Sequence, residues 1–137
     1  MIPITDFSVD LYWRLKEKRI LLIEDDPWVR DSLSLYLQNR GCRPESFSSA
    51  EEGMEAIRKE KFDIILCDYW LPGFDGLALL RFAKEQQPQA KRILITAYPL
   101  SEIAAEVEKA GLDDFIQKPF SVETIEYCLA RCIDTAD

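Results

Sequence analysis

The amino-acid sequence predicts an α/β fold: a doubly wound five-stranded parallel sheet, strand order 2-1-3-4-5, with five helices and an N-terminal extension. Three observations lead there. Short apolar runs alternate with segments of helical periodicity, strand then helix, five times along the chain. The run from Phe62 to Cys67 is nearly continuous in apolar residues, as a strand covered by helices on both faces requires. A length of 137 residues suits one domain with a real core, and repeated βα units close into a parallel sheet through right-handed crossovers.

Ile20-Leu21-Leu22-Ile23 forms the first strand. Asp26 caps the first helix with Pro27 at its first position, where a missing N–H costs nothing. It carries Val29, Leu33, Leu35 and Leu37 and stops near Gly41. Arg43 to Phe47 is a short second strand. Ser48 or Ser49 caps a second helix carrying Met54, Ala56 and Ile57, and Phe62 to Cys67 is the third strand. The turn-rich Leu71-Pro72-Gly73-Phe74-Asp75-Gly76 leads into a third helix through Leu77, Leu80 and Phe82 to near Gln86. After a loop at Gln87-Pro88-Gln89, Ile93-Leu94-Ile95 forms the fourth strand. Pro99-Leu100-Ser101 opens a fourth helix that Gly111 closes, and Asp113 to Ile116 is the fifth strand. Ser121 caps a fifth helix with Val122, Ile125, Leu129, Cys132 and Ile133 inward.

Residues 1–18 are an extension outside this pattern, residues 19–134 make the domain, and residues 135–137 are a tail. In the extension Phe7, Leu11 and Leu15 recur every four residues, with Tyr12 and Trp13 beside them and Asp6 or Ser8 available as caps. This suits an amphipathic helix. Such a helix either docks a partner or a second copy of the chain, or it is a loosely packed leader that merely covers a sheet edge or frays; the spacing allows both.

Twenty-five acidic against 17 basic residues, with no His, leave a formal charge of −8, which repels polyanions and argues against direct nucleic-acid binding by this domain. No apolar run approaches the roughly 20 residues of a membrane span. The N-terminus has no basic stretch ahead of an apolar core, so a cytoplasmic location is expected. Cys42, Cys67, Cys128 and Cys132 lack paired C-x₂-C spacing. Cys128 and Cys132 stand four apart on a helix, but without His or further ligands they read as small core hydrophobes.

In an open parallel sheet, ligands bind outside the carboxyl ends of the strands. Here the first strand runs into Glu24-Asp25-Asp26, the third into Asp68, the fourth into Thr96, and the fifth through Gln117 into Lys118. Clustered carboxylates repel unless a cation joins them, and a hard ion with oxygen ligands, Mg²⁺ or Mn²⁺, suits them. Asp68 is then a carboxylate nucleophile for phosphoryl transfer. Glu24 and Asp25 form the acidic pocket for the cation. Thr96, beside small Ala97, offers a hydroxyl to a phosphoryl oxygen, and Lys118 offers a positive charge. Asp26 is assigned to the helix cap and left out of the ligand set.

Leu22-Ile23-Glu24-Asp25-Asp26, Asp68-x-x-Leu71-Pro72-Gly73-x-Asp75-Gly76, Thr96-Ala97 and Lys118-Pro119-Phe120 occur in that order. Over residues 19–134 the chain resembles a response-regulator receiver domain of two-component signalling, the CheY-like family with its flavodoxin-like fold. The resemblance implies that Asp68 takes a phosphoryl group from a sensor histidine kinase or phosphotransfer protein. It implies metal binding by Asp25, Asp68 and the Trp70 backbone carbonyl, and a cis Lys118-Pro119 bond. It also implies a switch in which Thr96 and Phe115 move and the surface of the fourth helix, fifth strand and fifth helix changes for a downstream effector domain or protein, or for a homodimer partner. Such a domain is a signalling domain, not a conventional enzyme, although it catalyses its own phosphorylation and dephosphorylation. Trp70 and Tyr98 flank the approach of a hydrolytic water, so phosphoryl loss is expected to be slow.

Three other readings are open to a sheet of this kind. A nucleotide-binding sheet wants a glycine-rich turn after its first strand, and Glu24-Asp25-Asp26-Pro27 repels phosphate instead. An aspartate-nucleophile phosphatase carries D-x-D, whereas Asp68-Tyr69-Trp70 lacks the second acid. The remaining alternative is a phosphorylation-independent module that keeps the fold and works by binding.

Overall fold

The computed structural model describes residues 10–134. In chain order the elements are α1 (residues 10–15), β1 (Arg19–Ile23), α2 (Pro27–Asn39), β2 (Arg43–Phe47), α3 (Ala50–Lys59), β3 (Ile64–Asp68), β4 (Trp70–Leu71), β5 (Phe74–Asp75), α4 (Gly76–Gln86), β6 (Lys91–Thr96), α5 (Leu100–Ala110), β7 (Asp114–Gln117) and α6 (Val122–Asp134). The main sheet is parallel with order β2-β1-β3-β6-β7, the predicted 2-1-3-4-5 order. Between β3 and α4 the turn-rich segment holds an antiparallel pair, β4 and β5, of two residues each. Strands that short leave no alternation to read, and the sequence shows only a turn there.

Two-residue periodicity sorts the sheet into two cores. Leu21, Ile23, Ile65, Cys67 and Leu94 face one way, against Ala56 and Ile57 of α3, Leu77 and Leu80 of α4, and Ile103 of α5. Ile20, Leu22, Ile64, Leu66, Ile93 and Ile95 face the other, against Leu33 and Leu37 of α2 and Ile125, Cys128, Leu129 and Cys132 of α6. All four cysteines are buried among the core residues, and none of them forms a disulfide. Asp26 caps α2, Ser49 caps α3, and Gly111 closes α5 in the left-handed conformation at φ 61°. Leu35 and Val122 do not face inward: they are 59% and 54% exposed. Leu35 lies two positions from both Leu33 and Leu37, which turns it to the opposite side of α2. Val122 opens α6 one turn before Ile125, the first of its residues to reach the core.

The described part of the extension packs into the core. Leu11 and Leu15 are buried in the α2–α6 layer, while Trp13 points outward. α1 lies between the C-terminal ends of α2 and α6. A Cβ at Gly41 would sit 3.1 Å from the Tyr12 ring, and Arg14 Nη2 donates to the Ile133 carbonyl at 3.4 Å. The helix covers its own sheet and spends its apolar face there. Asp6, Phe7 and Ser8 lie outside the described residues.

Candidate functional site

The sheet order reverses between β1 and β3, which leaves a crevice at their carboxyl ends. Glu24 follows β1 and is fully buried; its N–H donates to the Phe47 carbonyl, which continues the strand pairing by one residue. Its Oε2 accepts from Asp26 N at 3.1 Å. Asp26 Oδ1 accepts from Trp28 N at 2.9 Å and Val29 N at 3.5 Å, so this acid is the helix cap.

Asp68 ends β3, almost wholly buried. Oδ1 accepts from Trp70 N at 3.2 Å and Oδ2 from Lys118 Nζ at 3.0 Å. Lys118 follows β7 through a cis bond to Pro119, and its N–H donates to the Thr96 carbonyl at 2.7 Å. Its Nζ also lies 2.9 Å from Glu24 Oε1, an ion pair whose angle does not make a hydrogen bond. Thr96 ends β6 beneath Ala97, fully buried, and its Oγ1 accepts from Tyr98 N at 2.9 Å, which leaves the hydroxyl proton to donate elsewhere.

Glu24, Asp25, Asp68, Trp70, Tyr98 and Lys118 line one pocket of about 310 Å³. Phe115 stands apart, half-buried against the core that holds Ile103 of α5. Glu24, Asp25 and Asp68 each present an oxygen within 4.8 Å of the others. One lysine faces three carboxylates. Burial pushes Glu24 up to about 7, and the neighbouring Asp68 adds to this while Lys118 opposes it. For Lys118, burial acts to lower its pKa, but Glu24 and Asp68 more than offset that and the net shift is upward. An all-oxygen set with excess negative charge and a Glu24 oxygen lacking a hydrogen bond fits a hard divalent cation.

Two residues that build this site had no role in the sequence reading. Arg30 Nη1 donates to the carbonyls of Glu24 at 2.8 Å and Asp25 at 3.4 Å, pinning the acidic loop from the first turn of α2. Nothing in its spacing marks it. Gly76 opens α4 where a Cβ would fall 1.9 Å from the Asp68 carbonyl oxygen, so only glycine lets the two backbones approach. Its place in the Asp75-Gly76 motif was visible, its reason was not.

A doubly wound sheet with a nearly buried aspartate, an acidic pocket and a lysine at the carboxyl ends of its strands defines an α/β domain of the signalling class. The chain belongs to the response regulator receiver domain family, whose family model matches residues 20–130. Among curated relatives it is 36% identical over 113 residues to the transcriptional activator protein PfeR of Pseudomonas aeruginosa, covering 79% of this chain and 35% of that one. It is 34% identical over 115 residues to a cyclic di-GMP phosphodiesterase of Thermotoga maritima, covering 83% of this chain and 30% of that one. The chain thus spans about a third of these two relatives. Among solved structures, a CheY-like receiver domain protein from Methanospirillum hungatei JF-1 is 32% identical with a TM-score of 0.77, over 87% of this chain and 98% of that one. The non-phosphorylated HemR receiver domain of Leptospira biflexa is 26% identical with a TM-score of 0.81, over 88% and 98%. Among the described residues, no helix is long and apolar enough to cross a membrane.

Proposed function

We propose that this domain accepts a phosphoryl group on Asp68 from the phosphohistidine of a sensor kinase or phosphotransfer protein, and passes the signal to an effector domain or protein. The observation that carries this reading is Lys118 Nζ, 2.9 Å from Glu24 and 3.0 Å from Asp68, in a pocket where carboxylates outnumber it. In the transfer, the donor's N–P bond breaks as an O–P bond forms to an Asp68 carboxylate oxygen, and the imidazole leaves with the electron pair. Lys118 holds the carboxylate in place and then faces an added negative charge. Thr96 donates its free hydroxyl proton to a phosphoryl oxygen. Arg30 and Gly76 keep the acidic loop and the end of β3 fixed while this happens.

Asp25, Asp68 and the Trp70 carbonyl would hold Mg²⁺ or Mn²⁺, with Glu24 behind them. When bound, the ion neutralises the carboxylates and the phosphoryl oxygens. Output runs through Thr96 and Phe115 to the α5-β7-α6 surface, where an effector or a second copy of the chain would read it. Residues 19–134 form the receiver unit and residues 1–18 its extension.

The test is intact mass after incubation with acetyl phosphate, with and without Mg²⁺, beside Asp68→Asn. A Mg²⁺-dependent gain of one phosphoryl group that the variant lacks is the expected result. No gain in the wild-type chain would replace this reading with a module that works by binding alone.

A further inference from the structure

The β4–β5 turn and the first two turns of α5 border a hollow of about 550 Å³, within the size range of ligand sites. Tyr69, Trp70, Phe74 and Tyr98 give it aromatic walls, with buried Ile103 among them. The Tyr69 and Tyr98 rings meet edge to face, 5.2 Å between centroids and 75° between planes, so their surfaces form a corner. The hollow shares Trp70 and Tyr98 with the Asp68 pocket, but none of the acids around Asp68 lines it, nor does any residue of β7 or α6.

Its charged residues are all acids, Asp75, Glu102 and Glu106, with no lysine or arginine in the lining. Asp75 commits one oxygen to the N-cap of α4, accepting from Leu77 N at 2.8 Å. Among the described residues, the carboxylates of Glu102 and Glu106 have no hydrogen-bond or ion-pair partner. They stand four apart on α5, a spacing that puts like charges on one face, where they repel. Their field reaches the rings: burial raises the Tyr69 pKa, and Glu106 and then Asp75 raise it further. Elsewhere the chain covers rings with its own cations, Arg19 over Phe62 at 5.0 Å, Arg58 over Phe82 at 5.1 Å and Arg40 over Tyr36 at 5.5 Å. No described cation lies over Tyr69, Trp70, Phe74 or Tyr98.

We infer that this hollow docks an arginine side chain from a protein partner. Ring faces attract a cation, and the two unpaired carboxylates beside them supply the complementary charge. Arginine meets both at once: its planar guanidinium stacks on a ring while its N–H groups reach carboxylates, and it sheds water more readily than an ammonium. A hard metal ion wants converging oxygens, which Glu24, Asp25 and Asp68 offer and this ring-lined hollow does not. Trp70 and Tyr98 are exposed, so the hollow is open to a side chain carried on another protein's surface, where arginine is a common anchor. Docking here requires no phosphoryl group on Asp68.

The probe is a capped tripeptide with arginine between two glycines, titrated into the full, unphosphorylated chain with Mg²⁺ present to compete for the acidic pocket, and followed by amide chemical shifts. Saturable shifts are expected at Tyr69, Phe74, Glu102 and Glu106. The same peptide with citrulline, a neutral isostere of arginine, should bind about fivefold more weakly or less. The double variant Glu102→Gln, Glu106→Gln changes only exposed side chains and should weaken binding about three- to tenfold, the loss of two surface ion pairs. Tyr69→Leu should weaken it about two- to fivefold through loss of one ring face. No saturable binding, shifts confined to Glu24, Asp25 and Asp68 or to α3, equal affinity for the citrulline peptide, or unchanged affinity in either variant would each overturn the site. N-acetylagmatine, which carries the guanidinium without a peptide backbone, should bind no more tightly than the peptide. Binding about tenfold tighter would assign the hollow to a small organic cation and overturn the protein partner.

Discussion

Lys118 and Arg92 are inward-directed cations at opposite ends of the same sheet, and they are satisfied in different ways. Lys118 lies between two carboxylates, which raise its pKa although burial acts to lower it. Arg92 lies among three backbone carbonyls, and burial lowers its pKa despite partial compensation from Asp113. Carbonyls keep the same charge under all conditions, so Arg92 ties α4 and α5 to β6 permanently. The partners of Lys118 can gain a proton, a metal or a phosphoryl group, and each changes the balance around it. A cation held by carbonyls is structural, and one held by carboxylates in excess can respond.

The largest effects separate these two roles. Lys118→Met should slow phosphorylation of Asp68 by acetyl phosphate by about 100-fold or more, the usual loss when one charged donor to a transition state is removed. Arg92→Met should leave the rate of the folded protein nearly unchanged and cost stability, because three buried carbonyls lose their donors. With each group worth about 1–3 kcal/mol and partial rescue by water, about 3 kcal/mol in urea unfolding is expected. A slowed but stable Arg92→Met would break the comparison.

Next in size is Leu15→Ala, at the same structural end. Leu15 is fully buried, so about 2–5 kcal/mol should be lost. A change below about 0.5 kcal/mol, the surface range, would show that α1 is only loosely attached.

The third test uses pH. In the folded, metal-free protein Glu24 keeps its proton up to about pH 7, whereas in the unfolded chain it loses it near 4.5. Between those values the folded state binds more protons, so stability falls as pH rises, by up to about 3 kcal/mol, and the loss is complete above about pH 7. Denaturant midpoints across this window should slope downward, Glu24→Gln should flatten the slope, and Mg²⁺ should stabilise more at pH 8 than at pH 5. A flat wild-type profile would remove Glu24 from the responsive end.

The smallest effect concerns the aromatic rim. Trp70 is 62% and Tyr98 41% exposed, and both border the pocket. Replacing both by Ala should shorten the lifetime of phosphorylated Asp68 roughly several-fold, by admitting water. An unchanged lifetime would assign these side chains to the surface alone.

Much of this was legible along the chain. The predicted strand order is the observed one, and Asp26, Ser49 and Gly111 cap or close their helices as read. Glu24, Asp25, Asp68 and Lys118 meet in one pocket, and Thr96 lies just beneath it. These signals are local: periodicity, a cap's side-chain oxygen, and the polar residue that ends an apolar run. Each is set by a few neighbouring residues, and parallel connection then brings the strand ends together. Arg30, Gly76, Arg92 and the burial of Leu11 and Leu15 were decided only in three dimensions. An arginine reads alike whether it meets water, a loop carbonyl or a helix end, and a glycine's missing Cβ matters only where another backbone approaches. The two-residue strands β4 and β5 follow the same rule, since they are too short to carry a period and exist only because the chain folds back across Gly73.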